Sequence, residues 1–434
     1  MLYSIFRKEV SVTAAKMSAS KIAWSSWGII AFSYFLTYIH RTVVGTVSEE
    51  ICSEFGLSLT SFGIMSSMYF YAYMVMQIPA GLLADNIGPR KTVAAGALVG
   101  GAATFMFGLA SGPAMLFAGR FLIGAGMATA FVCLLKIQSQ WFPDKMFATL
   151  SGFSIFMGNI GNLMGQLPFA LLTLHVGWQN SYLMIAVITA MSGAACYFLI
   201  RNKPEDAGLP PVNPQNAARE CKIGLIEGVK AVMRERRTYG AIIFYVFNQT
   251  AFISFVGAWL VPWLREVHGM SSAAAANFGM LAIIGGMAGS SLSGLISDKL
   301  KLRKPAIIAG AVIYTCAWGT MAFWNTGDHF HIGALLFALG LGTGVFPLSM
   351  AIVKEVSLPS LTGTAVSVLN TVGFLGMALG TSLLGLIADL GENLSQAARF
   401  GNVLFACFAA AVVSLIAALC CYETHARNAS FPKL

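Results

Sequence analysis

Apolar residues in this chain come in long blocks separated by short polar strips. Six blocks lie near 24–48, 60–84, 91–111, 115–138, 147–172 and 180–200. After a polar stretch, six more lie near 239–263, 272–297, 304–325, 332–354, 362–388 and 399–421. Each approaches the roughly 20 apolar residues a helix needs to cross about 30 Å of hydrocarbon. A chain in lipid must satisfy its backbone groups internally, so the blocks predict helices. Gly-rich runs such as LVGGAAT and AIIGGMAGSSLSG suit close helix packing there. The pattern predicts an all-α polytopic membrane protein of twelve transmembrane helices in two six-helix bundles.

Composition strengthens this reading. Of 434 residues, 57% are hydrophobic and 10% charged, too few charges to cover a soluble protein of this length. The expected organisation is an N-terminal tail (1–21), a first bundle (22–200), a linker (201–238), a second bundle (239–421) and a C-terminal tail (422–434). With the N-terminus inside, twenty-one of the 27 Lys and Arg residues fall on the cytoplasmic side and only Arg265 and Arg399 opposite. That bias predicts cytoplasmic termini and placement in the inner or plasma membrane. The net charge of +9 then reflects topology and anionic lipid headgroups, not nucleic acid. No cleavable signal peptide is evident, because the first apolar run is too long and lacks a small-residue cleavage site. The eight cysteines lack metal-ligand spacing, and the histidines are scattered. Neither a cofactor nor a metal is expected, nor an enzyme; the chain reads as a monomer with a small-molecule substrate and lipids as partners.

The strip GLLADNIGPRKTV (81–93) places Asp85, Arg90 and Lys91 between two apolar blocks, and GLISDKLKLRKPA (294–306) echoes it. Gly81 and Asp85 correspond to Gly294 and Asp298, 213 residues on. Gly126 precedes Lys136 by ten residues, as Gly344 precedes Lys354. The two bundles are therefore duplicates, an architecture that binds substrate near the midplane and rocks around it.

These features resemble the major facilitator superfamily over nearly the whole chain. Its signature between helices two and three, G-x-L-x-D-x-x-G-R-K, appears as Gly81, Leu83, Asp85, Gly88, Arg90 and Lys91, with Pro89 inserted and Asn86 where Arg is common. A looser copy is Gly294, Asp298, Lys299 and Arg303; the helix-four motif R-x-x-x-G-x-G reads Arg120, Gly124 and Gly126. The resemblance implies that Gly81 lets helices approach and that Asp85, paired with nearby cations and a helix terminus, latches the halves on the cytoplasmic side in an outward-open state. The alternative is a topogenic charge cluster without a latch.

YFLTYIHRTVVGTVSEEICSEFGLS (34–58) and RNKPEDAGLPP (201–211) are similar to segments of the organophosphate and organic-anion (anion:cation symporter-like) branch. Phosphate-ester members of that branch clamp their anion with arginines from helices one and seven. Arg41 matches the first, whereas helix seven, IFYVFNQTAFISFVGAWLVPWL, has no Arg or Lys. A monoanion or zwitterion fits one fixed cation better.

Arg41 shares a helical face with Tyr34 and Tyr38, and a charge at depth is a functional-site hypothesis by default. Its fork can hold a carboxylate bidentately while the tyrosines donate. The bland alternative is a structural Arg, or one reaching out to Glu49 and Glu50. Lys136 and Lys354 are candidates for the inner mouth, or headgroup-seeking cations. A straight helix four cannot aim both Arg120 and Lys136 at one cavity; since Arg120 belongs to the helix-four motif, the resemblance implies that it packs towards helix one and structures the site. Asn159, Asn162 and Gln166 make a polar stripe on helix five; Asn248, Gln249 and Asn370 are the nearest polar groups in the second half. Tyr73 and Gln77, on one face of helix two with Tyr69, are a candidate substrate wall; packing explains all these polar positions nearly as well. His40 is the best titratable candidate for coupling, but its neighbour Arg41 points about 100° away on an ideal helix. The coupling ion, a proton or a counter-anion, stays open.

The expected function is secondary active transport of a small organic anion or zwitterion by alternating access, anchored at Arg41. Efflux of lipophilic or cationic compounds is the alternative, and a transporter-like sensor a more distant one.

Overall fold

The computed structural model describes residues 2–212, 225–324, 328–358, 361–391 and 393–425. Part of the expected linker (213–224) and most of the C-terminal tail (426–434) lie outside the described residues, with Arg219, Lys222, Arg427 and Lys433.

Helix α1 runs over Leu2–Thr46. The expected N-terminal tail is thus helical backbone: from Leu2 to Ile22 the sequence holds neither Gly nor Pro to stop a helix. A short helix, Ser48–Phe55, leads into α2 (Leu59–Asn86) and α3 (Pro89–Gly108). Helix α4 is broken into Pro113–Met127 and Thr129–Trp141. Helix α5 begins with Asp144–Met164, and after Gln166 continues in Leu167–Leu199, which turns at Gly177 (φ 82°) into α6. That left-handed backbone suits glycine alone among the neighbours there.

In the second half, α7 comprises Tyr239–Ser254, a wide turn at Phe255–Trp259 and Leu260–His268. It is followed by α8 (Ser272–Leu300) and α9 (Lys304–Phe323). Helix α10 is His329–Thr343 then Phe346–Val356, α11 is Thr362–Leu390, and α12 is Gln396–Leu419. Among the described residues ten helical runs are long and apolar enough to cross a membrane. One of them, Thr149–Leu199, is α5 and α6 together, and α2, whose serines, tyrosines and Gln77 dilute its hydropathy, makes the twelfth helix. The molecule is an all-α, multi-pass membrane protein.

The breaks in α4 and α10 fall at equivalent points of the duplicated pattern, at Ala128 and at Gly344–Val345. Around them glycines let backbones touch. A side chain at Gly124 would collide with the Tyr69 carbonyl of α2, and one at Gly340 with the Ala282 carbonyl of α8.

The two halves are fastened together at the end away from the 201–238 linker. There Arg265 of α7 pairs with Glu49 and Glu50, and Ser67 of α2 meets Ser382 of α11 at 2.8 Å. Trp259 donates to the Thr381 carbonyl at 3.2 Å and lies edge-on to Phe62. At the linker end the charge clusters stay within one half: Lys136 with Asp85, and Arg303 with Asp298 (2.7 Å) and Glu355 (2.9 Å). Positions Gly81 on α2 and Gly363 on α11 have open space where a side chain would be.

Candidate functional site: an unpaired arginine among tyrosines

Three helices bring aromatic rings to Arg41. On α1, Tyr34, Tyr38 and Arg41 recur at helical spacing; on α2, Tyr69 and Tyr73 do the same. The Arg41 guanidinium carbon lies 4.5 Å from the Tyr38 ring centre, 5.8 Å from Tyr73 and 5.5 Å from Phe374 of α11. Tyr73 and Phe374 themselves meet at 4.3 Å between ring centres, so the cage closes across the two halves. Tyr34 and Tyr38 share a 3.0 Å hydroxyl contact, and Tyr69 donates to the Thr37 carbonyl at 3.0 Å.

Arg41 is 7% exposed, its Nε has no hydrogen-bond partner, and no carboxylate among the described residues pairs with it. A buried cation costs at least a few kcal/mol, of which each ring face returns about 0.5–2 kcal/mol. Glu49 and Glu50, the acids towards which Arg41 could have reached, are engaged by Arg265.

Arg120 also has an unpartnered Nε, but in contrast to Arg41 both its Nη groups are committed. It is fully buried and donates from Nη1 to the His40 carbonyl at 2.6 Å and from Nη2 to the Arg41 carbonyl at 3.3 Å, with Tyr69 stacked at 4.9 Å. It holds the backbone that carries Arg41. His40 lies fully buried on the other face of α1, with Nε2 3.0 Å from the Thr189 hydroxyl of α6 and Nδ1 without a partner. It does not face the aromatic cage.

Lys136 sits against Asp85, so the structure places it in an ion pair at the linker end and not beside Arg41. Its repeat mate Lys354 is exposed, while Glu355 beside it takes Arg303. Arg90 donates from Nε to the Tyr197 carbonyl at 2.5 Å and stacks on that ring at 5.0 Å; Lys91 is exposed. Gly88, at φ 86°, lies where a side chain would strike Asn202, whose Oδ1 accepts the Arg90 backbone N–H at 2.9 Å. The signature loop thus rests on the end of α6.

The polar stripe on α5 is only partly engaged. Asn159 and Asn162 are half-buried, the Oδ1 of Asn162 has no partner, and Gln166 packs its orphaned Oε1 against Gly279 of α8. Gln77 is half-buried and its amide reaches only the Tyr73 carbonyl of its own helix, at 3.4 Å. In the second half Asn248 is fully buried: its Oδ1 accepts from Thr343 at 2.7 Å and Gln249 at 3.3 Å, and its carbonyl accepts from Tyr314 at 2.8 Å. This knot ties α7 to the α10 break and leaves only the Asn248 Nδ2 without a partner within it. Asn370 accepts from Tyr245 at 3.3 Å.

Tyr245, Thr343, Thr189 and Phe374 complete these networks and carried no expectation from the sequence, whereas Tyr69 was read only as a companion of Tyr73 and Gln77 on helix two. Tyr245 lies three residues before Asn248 and Phe374 four after Asn370, a spacing that marks a shared helical face. Among the described residues no group of three His, Cys, Asp or Glu could hold a metal.

The fold has solved counterparts. A crystal structure of a bacterial homolog of the human lysosomal transporter Spinster, inward-facing and unoccupied, matches with a TM-score of 0.73 at 18% identity, over 92% of this chain and 96% of that one. Its occupied form matches with a TM-score of 0.68 at 18% identity, over 91% and 95%. In sequence, the chain is 24% identical to a probable sulfoacetate transporter of Cupriavidus necator, over 68% of this chain and 70% of that one. It is 24% identical to a putative tartrate transporter of Agrobacterium vitis (83% and 86%) and to a probable galactarate/D-glucarate transporter of Escherichia coli K12 (82% and 86%). The family model for the Major Facilitator Superfamily matches residues 30–381. With its twelve helices, its duplicated halves and that match, the chain belongs to the major facilitator superfamily.

Proposed function

We propose that this protein is a secondary transporter for a small organic anion, held by Arg41 between the two halves. The observation that carries the reading is the buried guanidinium with an unpartnered Nε and no carboxylate partner. Three related transporters are named for sulfoacetate, tartrate and galactarate or D-glucarate, all acids. Arg41 takes the carboxylate or sulfonate through its fork, and the Tyr34, Tyr38 and Tyr73 hydroxyls supply neutral donors beside it. Because Arg120 and Lys136 hold other partners and α7 carries no cation in the cage, Arg41 meets one anionic group or the anionic end of a zwitterion, and the second acidic group of a dianion such as tartrate would meet neutral donors. The positive-inside bias puts both termini, and therefore the linker end, in the cytoplasm of a cell bounded by an inner or plasma membrane. The carrier works as a monomer by alternating access around Arg41.

His40 faces α6 and no acid stands beside Arg41, which favours exchange of one anion for another over proton symport. A thermal-shift panel on the purified protein and on Arg41→Gln tests the central reading. It would contain sulfoacetate, tartrate, D-glucarate, amino acids and lipophilic cations. An anion at 100 times its dissociation constant stabilises by about 2.7 kcal/mol. Stabilisation of the wild type by an acid and its loss in Arg41→Gln support the proposal. Equal stabilisation of both proteins by cations would refute it and favour efflux of lipophilic compounds.

A further inference from the structure

The strip Gly-Leu-Leu-Ala-Asp at 81–85 has two relatives in this chain. One is Gly-Leu-Ile-Ser-Asp at 294–298, at the linker end of α8; the other is Gly-Leu-Ile-Ala-Asp at 385–389, near the C-terminus of α11. Helices α2 and α11 run antiparallel in contact, so the third copy sits at the end of the molecule opposite to the first. Each of these two helices therefore carries a carboxylate at its C-terminal end, and that of α11 lies beside the N-terminus of α2.

The third copy is the engaged one. A helix begins with N–H groups that have no partner within it. At the start of α2, the Ser61 N–H is capped by Ser58 Oγ at 3.2 Å. The other two go to the opposite half of the molecule: Leu59 N–H donates to Asp389 Oδ1 at 3.2 Å and Thr60 N–H to Asp389 Oδ2 at 2.7 Å. The carboxylate thus meets both the free donors and the positive end of the helix. Gly385 makes the approach possible, since a Cβ there would stand 2.6 Å from the Leu59 carbonyl oxygen and 3.0 Å from the Trp259 ring. Arg399 of α12 holds the turn from behind, donating to the Ala388 carbonyl at 3.1 Å and placing its Nη2 3.6 Å from Asp389 Oδ1. At the linker end the situation is reversed. The Asp85 side chain is 67% exposed and paired only within its own half among the described residues, whereas that of Asp389 is 24% exposed and, besides Arg399 in its own half, takes two N–H groups of the other.

We propose that Gly385 and Asp389 form a second latch, which closes the end opposite to the linker by capping α2 and must release when that end opens. Opening transfers the Leu59 and Thr60 N–H groups to water, a substitution that costs little and keeps the latch reversible. The start of α8 at the same end carries a cap of its own, Ser271, which accepts from the Ala274 N–H at 3.3 Å.

This inference rests on the alternating-access reading but not on the identity of the substrate. Its test is a pair of distance distributions by pulsed electron spin resonance on the full chain in lipid nanodiscs, with native cysteines replaced and no ligand added. One label pair at Ser111 and Gln396 reports the latched end, and another at Glu205 and Lys299 the linker end; all four positions are exposed. Asp389→Asn keeps the shape and removes the charge. It is expected to raise the ratio of open to closed at the latched end about tenfold, while the linker pair shortens. Gly385→Val forces α11 off Leu59 and gives the same shift, and Asp389→Glu gives a smaller one. If Gly385→Val opens that end while Asp389→Asn leaves both distributions unchanged, the carboxylate cap is not a latch and the proposal is overturned. If neither variant moves either pair, the latch and alternating access fall together. Substrate binding by Arg41 is unaffected by either result.

Discussion

The two halves share a duplicated plan but spend their polar groups differently. In the first half, Arg41 is a buried cation surrounded by ring faces, with an unpartnered Nε. In the second, Asn248, Gln249 and Thr343 satisfy one another across α7 and α10. An unpaired charge in low dielectric attracts an opposite charge strongly, whereas a neutral knot bonded largely within itself leaves a ligand only a neutral donor such as the Asn248 Nδ2. Binding selectivity should therefore reside in the first half, and the second should contribute shape and rigidity. Arg120 shows that charge alone does not make a site: its Nε, like that of Arg41, has no partner, but both its Nη groups are spent on the His40 and Arg41 carbonyls.

The sharpest way to break this comparison is Arg41→Gln. It should weaken binding of a stabilising acid at least about a hundredfold by titration calorimetry, since it removes a charge-assisted pair from a desolvated site. Next, Arg120→Met removes the donors that hold the Arg41 backbone. A loss of about 3 kcal/mol in detergent-induced unfolding is expected, with weaker binding as a consequence. Thr343→Val should cost only about 1 kcal/mol and leave the acid's dissociation constant unchanged. A change in affinity as large as that of Arg41→Gln would place the ligand on the second half.

The smallest effect concerns the end of the second half, outside the membrane. Burial raises the Glu423 pKa, but backbone N–H groups of Arg303, His425 and Lys304 outweigh it and hold the carboxyl below its ordinary range. A folded-state pKa below the unfolded one gives stability that is present above the unfolded value and lost as pH falls through the folded one. Unfolding midpoints should therefore decline on acidification, and Glu423→Gln should flatten that decline slightly.

Much of the architecture was legible in the apolar blocks, because lipid demands continuous runs and a duplicated chain repeats its glycines and charges. Arg120 bonds α1 carbonyls, as its place in the helix-four motif implied, whereas the break in α4 left no mark in the apolar pattern. Partners distant in sequence were not legible. Lys136 reads as a cavity cation until Asp85, 51 residues away, is found beside it. His40 reads as a coupling group until α6 brings Thr189 to its other side. Phe374 and Tyr245 carry no charge to draw notice, and only the packing of α2 and α7 against α11 shows that they border the cage or its neighbour Asn370. The helical start at Leu2 was hidden by polarity, since the apolar pattern marks what lies in lipid and not where a helix begins.

The most direct test of the account compares an acid that stabilises the protein with its uncharged primary amide, on wild type and Arg41→Gln. Four dissociation constants then isolate the coupling between the guanidinium and the ligand's charge. If Arg41 is the anchor, the wild type prefers the acid by at least about tenfold, roughly 1.4 kcal/mol, and Arg41→Gln binds acid and amide alike. A preference for the acid that survives in Arg41→Gln would contradict the account and move the anion elsewhere.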